Sequence, residues 1–81
     1  MGKYIINGIL YDTKKSRFCG SSITQNLYLA SNGKFFEVET FWGISLGRAR
    51  GVSIESAKRR IGEDYGDWRL YEELFGKVPE A

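Results

Sequence analysis

The stretch Asn26 to Thr40, NLYLASNGKFFEVET, constrains the fold more than any other part of the chain. Two runs rich in apolar residues flank Asn32-Gly33, the dipeptide that most readily supplies two consecutive positive φ angles, so a two-residue hairpin turn is predicted there. Such a turn sets the register: Ala30 opposite Phe35, Leu29 opposite Phe36, Tyr28 opposite Glu37 and Leu27 opposite Val38. Side chains alternate across a strand. Leu27, Leu29, Phe36 and Val38 are therefore expected on a core face, with Tyr28, Ala30, Phe35, Glu37 and Glu39 on the other. A second pair, Asn7-Gly8, predicts the same arrangement over Lys3 to Asp12. There Ile6 pairs with Ile9, Ile5 with Leu10, Tyr4 with Tyr11 and Lys3 with Asp12. Both faces of this hairpin are apolar near its turn, and an isolated hairpin is marginal in water, so a helix is expected over at least one of them.

The remaining segments read less evenly. Thr13 to Ser22 is polar and basic, and suits an exposed connection or a short edge strand from Ser16 to Cys19, where Lys14, Lys15 and Arg17 discourage pairing with other chains. Phe41 to Gly51, FWGISLGRARG, has no clean period of 2 or 3.6 and is expected to be an irregular loop; the alternative is that Phe41 extends the second hairpin and the glycines merely turn the chain. Val52 to Glu63 reads as a helix, with Ser53 as N-cap, Glu55 in the first turn and Gly62 as the stop. Its apolar stripe is Ile54, Ala57 and Ile61. Asp67 to Phe75 reads as a second helix capped by Asp67 and ended by Gly76. There Trp68, Tyr71 and Phe75, widened by Leu70 and Leu74, should form the main lid on the sheet. The expected fold is one α+β domain over residues 1–81: an antiparallel β-meander of two Asn-Gly hairpins, three to five strands in all, packed by two C-terminal helices.

With 42% hydrophobic and 15% aromatic residues the chain is too apolar for disorder. No segment reaches the roughly 20 apolar residues of a membrane span. The start of the chain lacks the features of a secretory signal, and Ile6 stands where a myristoylation motif needs Ser or Thr. A single Cys19 excludes an internal disulfide and fits a reducing cytoplasm. Residues 1–60 hold ten Lys/Arg against four Asp/Glu, whereas residues 61–81 hold two against six. That split suits a polyanion partner or head-to-tail pairing, and equally suits unlike charges meeting inside one fold.

Chemistry is hard to place on this chain. It contains no histidine, which removes Ser-His-Asp and Cys-His catalysis and, with one cysteine, the usual zinc sites. Glu37 and Glu39 share a strand face with nothing to mark a cleft that would split their pKa values. The run GRARG matches neither a P-loop nor GxGxxG. The expectation is a non-enzyme with no cofactor and no metal. Contact residues are sought instead in Trp42, Arg48 and Arg50, since Trp and Arg are common binding anchors. Trp42 has the alternative of capping the core. Lys58 and Arg59 complete the candidate partner surface, although Lys58 flanks the stripe of its helix and Arg59 points away, as on an ordinary solvated face.

KYIINGILYDT, LYLASNGKFFEVE and LYEELFGKVPEA together resemble a group of small bacterial and phage proteins with a "YIING…YDT", "LY…NGxFF" and "YEELFG" pattern in that order. The resemblance covers about half the chain and leaves residues 41–51 outside it. It implies a β-rich sheet with a helical end, no catalytic residues and a bacterial cytoplasm. It also implies an accessory protein of mobile elements, of the anti-CRISPR or anti-defence inhibitor type. The functional expectation is a non-catalytic protein-binding module that inhibits a host defence complex, as a monomer or homodimer. The alternative is a small nucleic-acid-binding protein using a basic and aromatic surface.

Overall fold

Asn7 and Gly8 adopt φ angles of 51° and 78°, the left-handed pair that a two-residue turn needs. The hairpin they close, β1 (Lys3–Ile6) and β2 (Ile9–Asp12), has the expected register, Lys3 with Asp12 through Ile6 with Ile9. The computed structural model describes residues 2–81 and contains two antiparallel sheets and two C-terminal helices, an α+β arrangement. The second sheet is a four-stranded meander of β3 (Arg17–Ser21), β4 (Gln25–Leu29), β5 (Phe35–Phe41) and β6 (Ile44–Val52). Among the described residues six strands form instead of the three to five expected.

The central hairpin differs from its sequence reading by one residue. Leu29 pairs with Phe35, Tyr28 with Phe36 and Leu27 with Glu37. Only Gly33, at φ 84°, is left-handed, and Ala30 carries the turn by accepting from Gly33 N and donating to Lys34 O. This is a type I turn followed by a left-handed glycine, which lengthens the loop relative to a two-residue turn. A one-residue slip sends one strand's side chains to the opposite face. Leu27, Leu29, Phe35 and Glu37 consequently share the helix side of the sheet, while Tyr28, Ala30, Phe36 and Val38 face β1–β2.

Two cores result. Cys19, Leu27, Phe35, Ala57, Ile61 and Leu70 pack between sheet and helices, and Tyr11, Ala30, Phe36 and Val38 pack between sheet and N-terminal hairpin. Phe36, Leu27 and Ile61 are the largest fully buried side chains, each contributing about 1.5–3 kcal/mol through burial. The hairpin's inner face is thus covered by the meander and not by a helix; Ile5 and Leu10 on its outer face are exposed.

Ser53 caps α1 (Ile54–Arg59) by accepting from Ser56 N. The expected stop at Gly62 does not occur. The helix widens into a π turn, Arg60–Asp64, closed by Tyr65 N donating to Arg60 O at 2.7 Å. Gly62 lies inside it, where a Cβ would meet the Tyr71 ring at 3.1 Å. Its role is to let the second helix approach. That helix, α2 (Trp68–Phe75), is capped by Asp67 and ended by Gly76, as the sequence predicts. Tyr71, Leu74 and Phe75 pack on the core, but Trp68 is 63% exposed and Ile54 is also exposed, so neither belongs to the expected apolar stripe.

Candidate functional site

The segment expected to be an irregular loop is instead the end of a β-hairpin. β5 runs to Phe41, Trp42-Gly43 turns the chain, and β6 returns from Ile44. The ladder pairs Phe41 with Ile44 at the tip and Glu37 with Arg50 further in; between them the register shifts, with Gly47 at φ 78° in the bulged strand. Trp42 and Gly43 sit at φ 53° and 82°, close to the angles of Asn7 and Gly8. Positive φ in a bulky side chain is an outlier, because Cβ crowds the following carbonyl. Trp42 is not a core cap: it is 69% exposed.

Around it lies an apolar end to the sheet. Phe41 stands edge-on to Trp42 with ring centroids 6.2 Å apart, and Trp42 N donates to Ile23 O at 3.1 Å. Ile23, Phe41, Ile44 and Leu46 are all exposed, Ile44 as fully as Trp42. Sequence reading missed Ile23, Ile44 and Leu46. A Gly-containing pair flanked by Phe and Ile was the available signal for a turn, masked because Trp rarely precedes the glycine.

Arg48 and Arg50 occupy β6 behind the tip and are both in ion pairs. Arg48 Nε donates to Glu39 Oε1 at 2.7 Å, and Arg50 Nε to Glu37 Oε1 at 2.5 Å. Arg60, reaching from the π turn, donates to Glu37 Oε2. Glu37 is the deeply placed member, its side chain only 4% exposed, and two guanidiniums satisfy it. The pairing is cross-strand in β5–β6, so it fixes the register as well as neutralising the charge. With Thr24 and Gln25, the side chains of Glu37, Glu39, Arg48 and Arg50 line an open cleft of about 500 Å³.

Lys58 and Arg59 lie elsewhere. They line a larger groove, about 1020 Å³, between α1 and its π turn on one side and α2 with the following tail on the other. Lys58 Nζ stands 5.5 Å from the Phe75 ring centroid, and Arg59 is exposed. Trp68 also lines this groove, with Arg69 Cζ 5.2 Å from its ring centroid. The five residues expected to form one partner surface therefore divide among a turn, a charged cleft and a helical groove.

Other reactive groups are structural in their surroundings. Burial pushes the Cys19 thiol up, and burial likewise raises Tyr65. Hydrogen bonding between Arg17 and Glu73, at 2.6 Å on the surface, raises the guanidinium and lowers the carboxyl. This pair joins the basic and acidic parts of the chain within one fold. Among the described residues no group of three or more His, Cys, Asp or Glu side chains is placed to hold a metal, and no helix is long and apolar enough to cross a membrane. No protein-family model, curated protein or solved structure matches this chain.

Proposed function

We propose that this chain is a non-catalytic protein-binding module whose contact surface is the β5–β6 tip. One observation carries the reading: Trp42 is held at φ 53° while 69% exposed. Left-handed backbone costs an L-residue with a bulky side chain roughly 1–2 kcal/mol. Burial does not offset that strain: Trp42 belongs to neither core, and its aromatic neighbour Phe41 is itself exposed. An exposed aromatic at a tight turn, beside exposed Phe41, Ile44 and Ile23, has the makeup of an interface hot spot. The partner surface that suits it is an apolar pocket on another protein.

The partner class comes from the resemblance to small phage and bacterial accessory proteins, which makes a host defence complex the target and inhibition the outcome. Capture from a bacterial lysate, with and without nuclease, tests this. Wild-type protein should retain a defined protein that the folded Trp42→Ala variant loses. Retention of nucleic acid alone would remove the protein-binding reading.

A further inference from the structure

The ion pairs of Arg48 and Arg50 engage only one edge of each guanidinium. Each donates through Nε, to Glu39 and Glu37 respectively. A guanidinium has five N–H donors, four of them on the two Nη atoms. Among the described residues the Nη groups of both arginines make no hydrogen bond, and their side chains are 76% and 75% exposed. Both face the same cleft, lined also by Thr24 and Gln25. As residues i and i+2 of one strand they project about 6.6 Å apart on one side of the sheet. The carboxylates hold each arginine by its Nε edge, which fixes the fork and lowers the entropy lost when the Nη groups meet a ligand.

The charge balance permits an anion despite those carboxylates. Glu37 is shared by Arg50 and Arg60, and Glu39 is held by Arg48. Arg60 meets Glu37 from outside the cleft lining, and counted with it three guanidiniums stand against two carboxylates, so Glu37 and Glu39 do not fully neutralise Arg48 and Arg50. The geometry points to a receptor for a phosphate group, clamped between the Nη forks of Arg48 and Arg50. A carboxylate presents two oxygens in one plane and suits one fork. A phosphate presents oxygens in several directions and can meet both. The site is separate from the Trp42 contact, and either stands if the other fails.

The test is an NMR titration of the whole chain with inorganic phosphate at low ionic strength, read at the Nε–Hε signals of Arg48 and Arg50. Saturable shifts at both are expected. Arg48→Lys keeps the charge but loses the fork, and should weaken phosphate binding by about fivefold or more, whereas Arg69→Lys leaves it unchanged. A second titration with a single-stranded oligonucleotide identifies the source of the phosphate. Shifts at the same two arginines, weakening as salt rises, assign a nucleic-acid backbone. An oligonucleotide that moves neither, where inorganic phosphate moves both, assigns a small phosphorylated ligand. Phosphate that leaves both arginines unmoved, or an Arg48→Lys variant that binds like wild type, overturns the inference.

Discussion

Asn7-Gly8 and Trp42-Gly43 close two hairpins with nearly the same backbone, φ 51° and 78° against 53° and 82°. The first uses the residue that tolerates the left-handed region best, because a short polar side chain crowds the carbonyl least. The second places the largest side chain available in the same position. The β1–β2 hairpin packs Tyr11 onto Phe36 and contributes to a core, whereas the β5–β6 tip projects its apolar side chains outward. The difference separates two uses of one turn. At Asn7 sequence and backbone agree, and the turn serves folding; at Trp42 they disagree, and the turn presents an exposed aromatic.

The largest test of that contrast lies beneath the β1–β2 hairpin. Phe36→Ala should cost about 3–5 kcal/mol in urea unfolding and loosen β1–β2 with it, because Phe36 is fully buried and its ring lies 5.0 Å from that of Tyr11. A loss below 1 kcal/mol would mean that the hairpin is not carried by this core. Next comes Glu37→Gln, which strips the charge from the carboxylate shared by two arginines. Its cost should be about 2–3 kcal/mol, below that of a fully buried pair because Arg50 stays in water.

Asn7→Trp builds the strained turn where nothing needs it, and should lower stability by about 1–2 kcal/mol. No change there would remove the strain argument at Trp42. The smallest effect is at Glu73, remote from both turns. Its carboxyl is lowered by the hydrogen bond from Arg17, so the pair's contribution is present above the ordinary glutamate range and lost as pH falls through the lowered value. The Glu73 carboxyl signal should titrate below a normal glutamate in wild type and in both turn variants, and return to the usual range in Arg17→Ala.

Much of this was legible in the residues. Asn7-Gly8, the Ser53 and Asp67 caps, Gly76 and the α+β class all follow from local chemistry that tertiary structure left alone. The slip at Asn32-Gly33 was not legible, because the same dipeptide serves a two-residue turn and a type I turn with one left-handed glycine. Both registers bury a Phe, since Phe35 and Phe36 are adjacent and each face of the sheet has a core. β6 escaped detection because the bulge at Gly47 breaks its alternation, and because its exposed face carries Ile44 and Leu46 where a solvated strand would carry polar residues. Arg48 and Arg50 were singled out by type alone. Their carboxylate partners follow from a ladder that the irregular-loop reading did not contain. Trp68 shows the converse error: helical spacing put it on the packed face, but it stands at the first residue of α2, largely clear of the core.

Trp42→Asn decides between the two uses of the turn most directly. The variant restores the residue that the backbone prefers and removes the one that the proposed interface needs. Measured on the same sample, unfolding free energy should rise by about 1 kcal/mol while capture of the protein partner is lost. A variant that is less stable than wild type, or one that still captures the partner, would contradict the account.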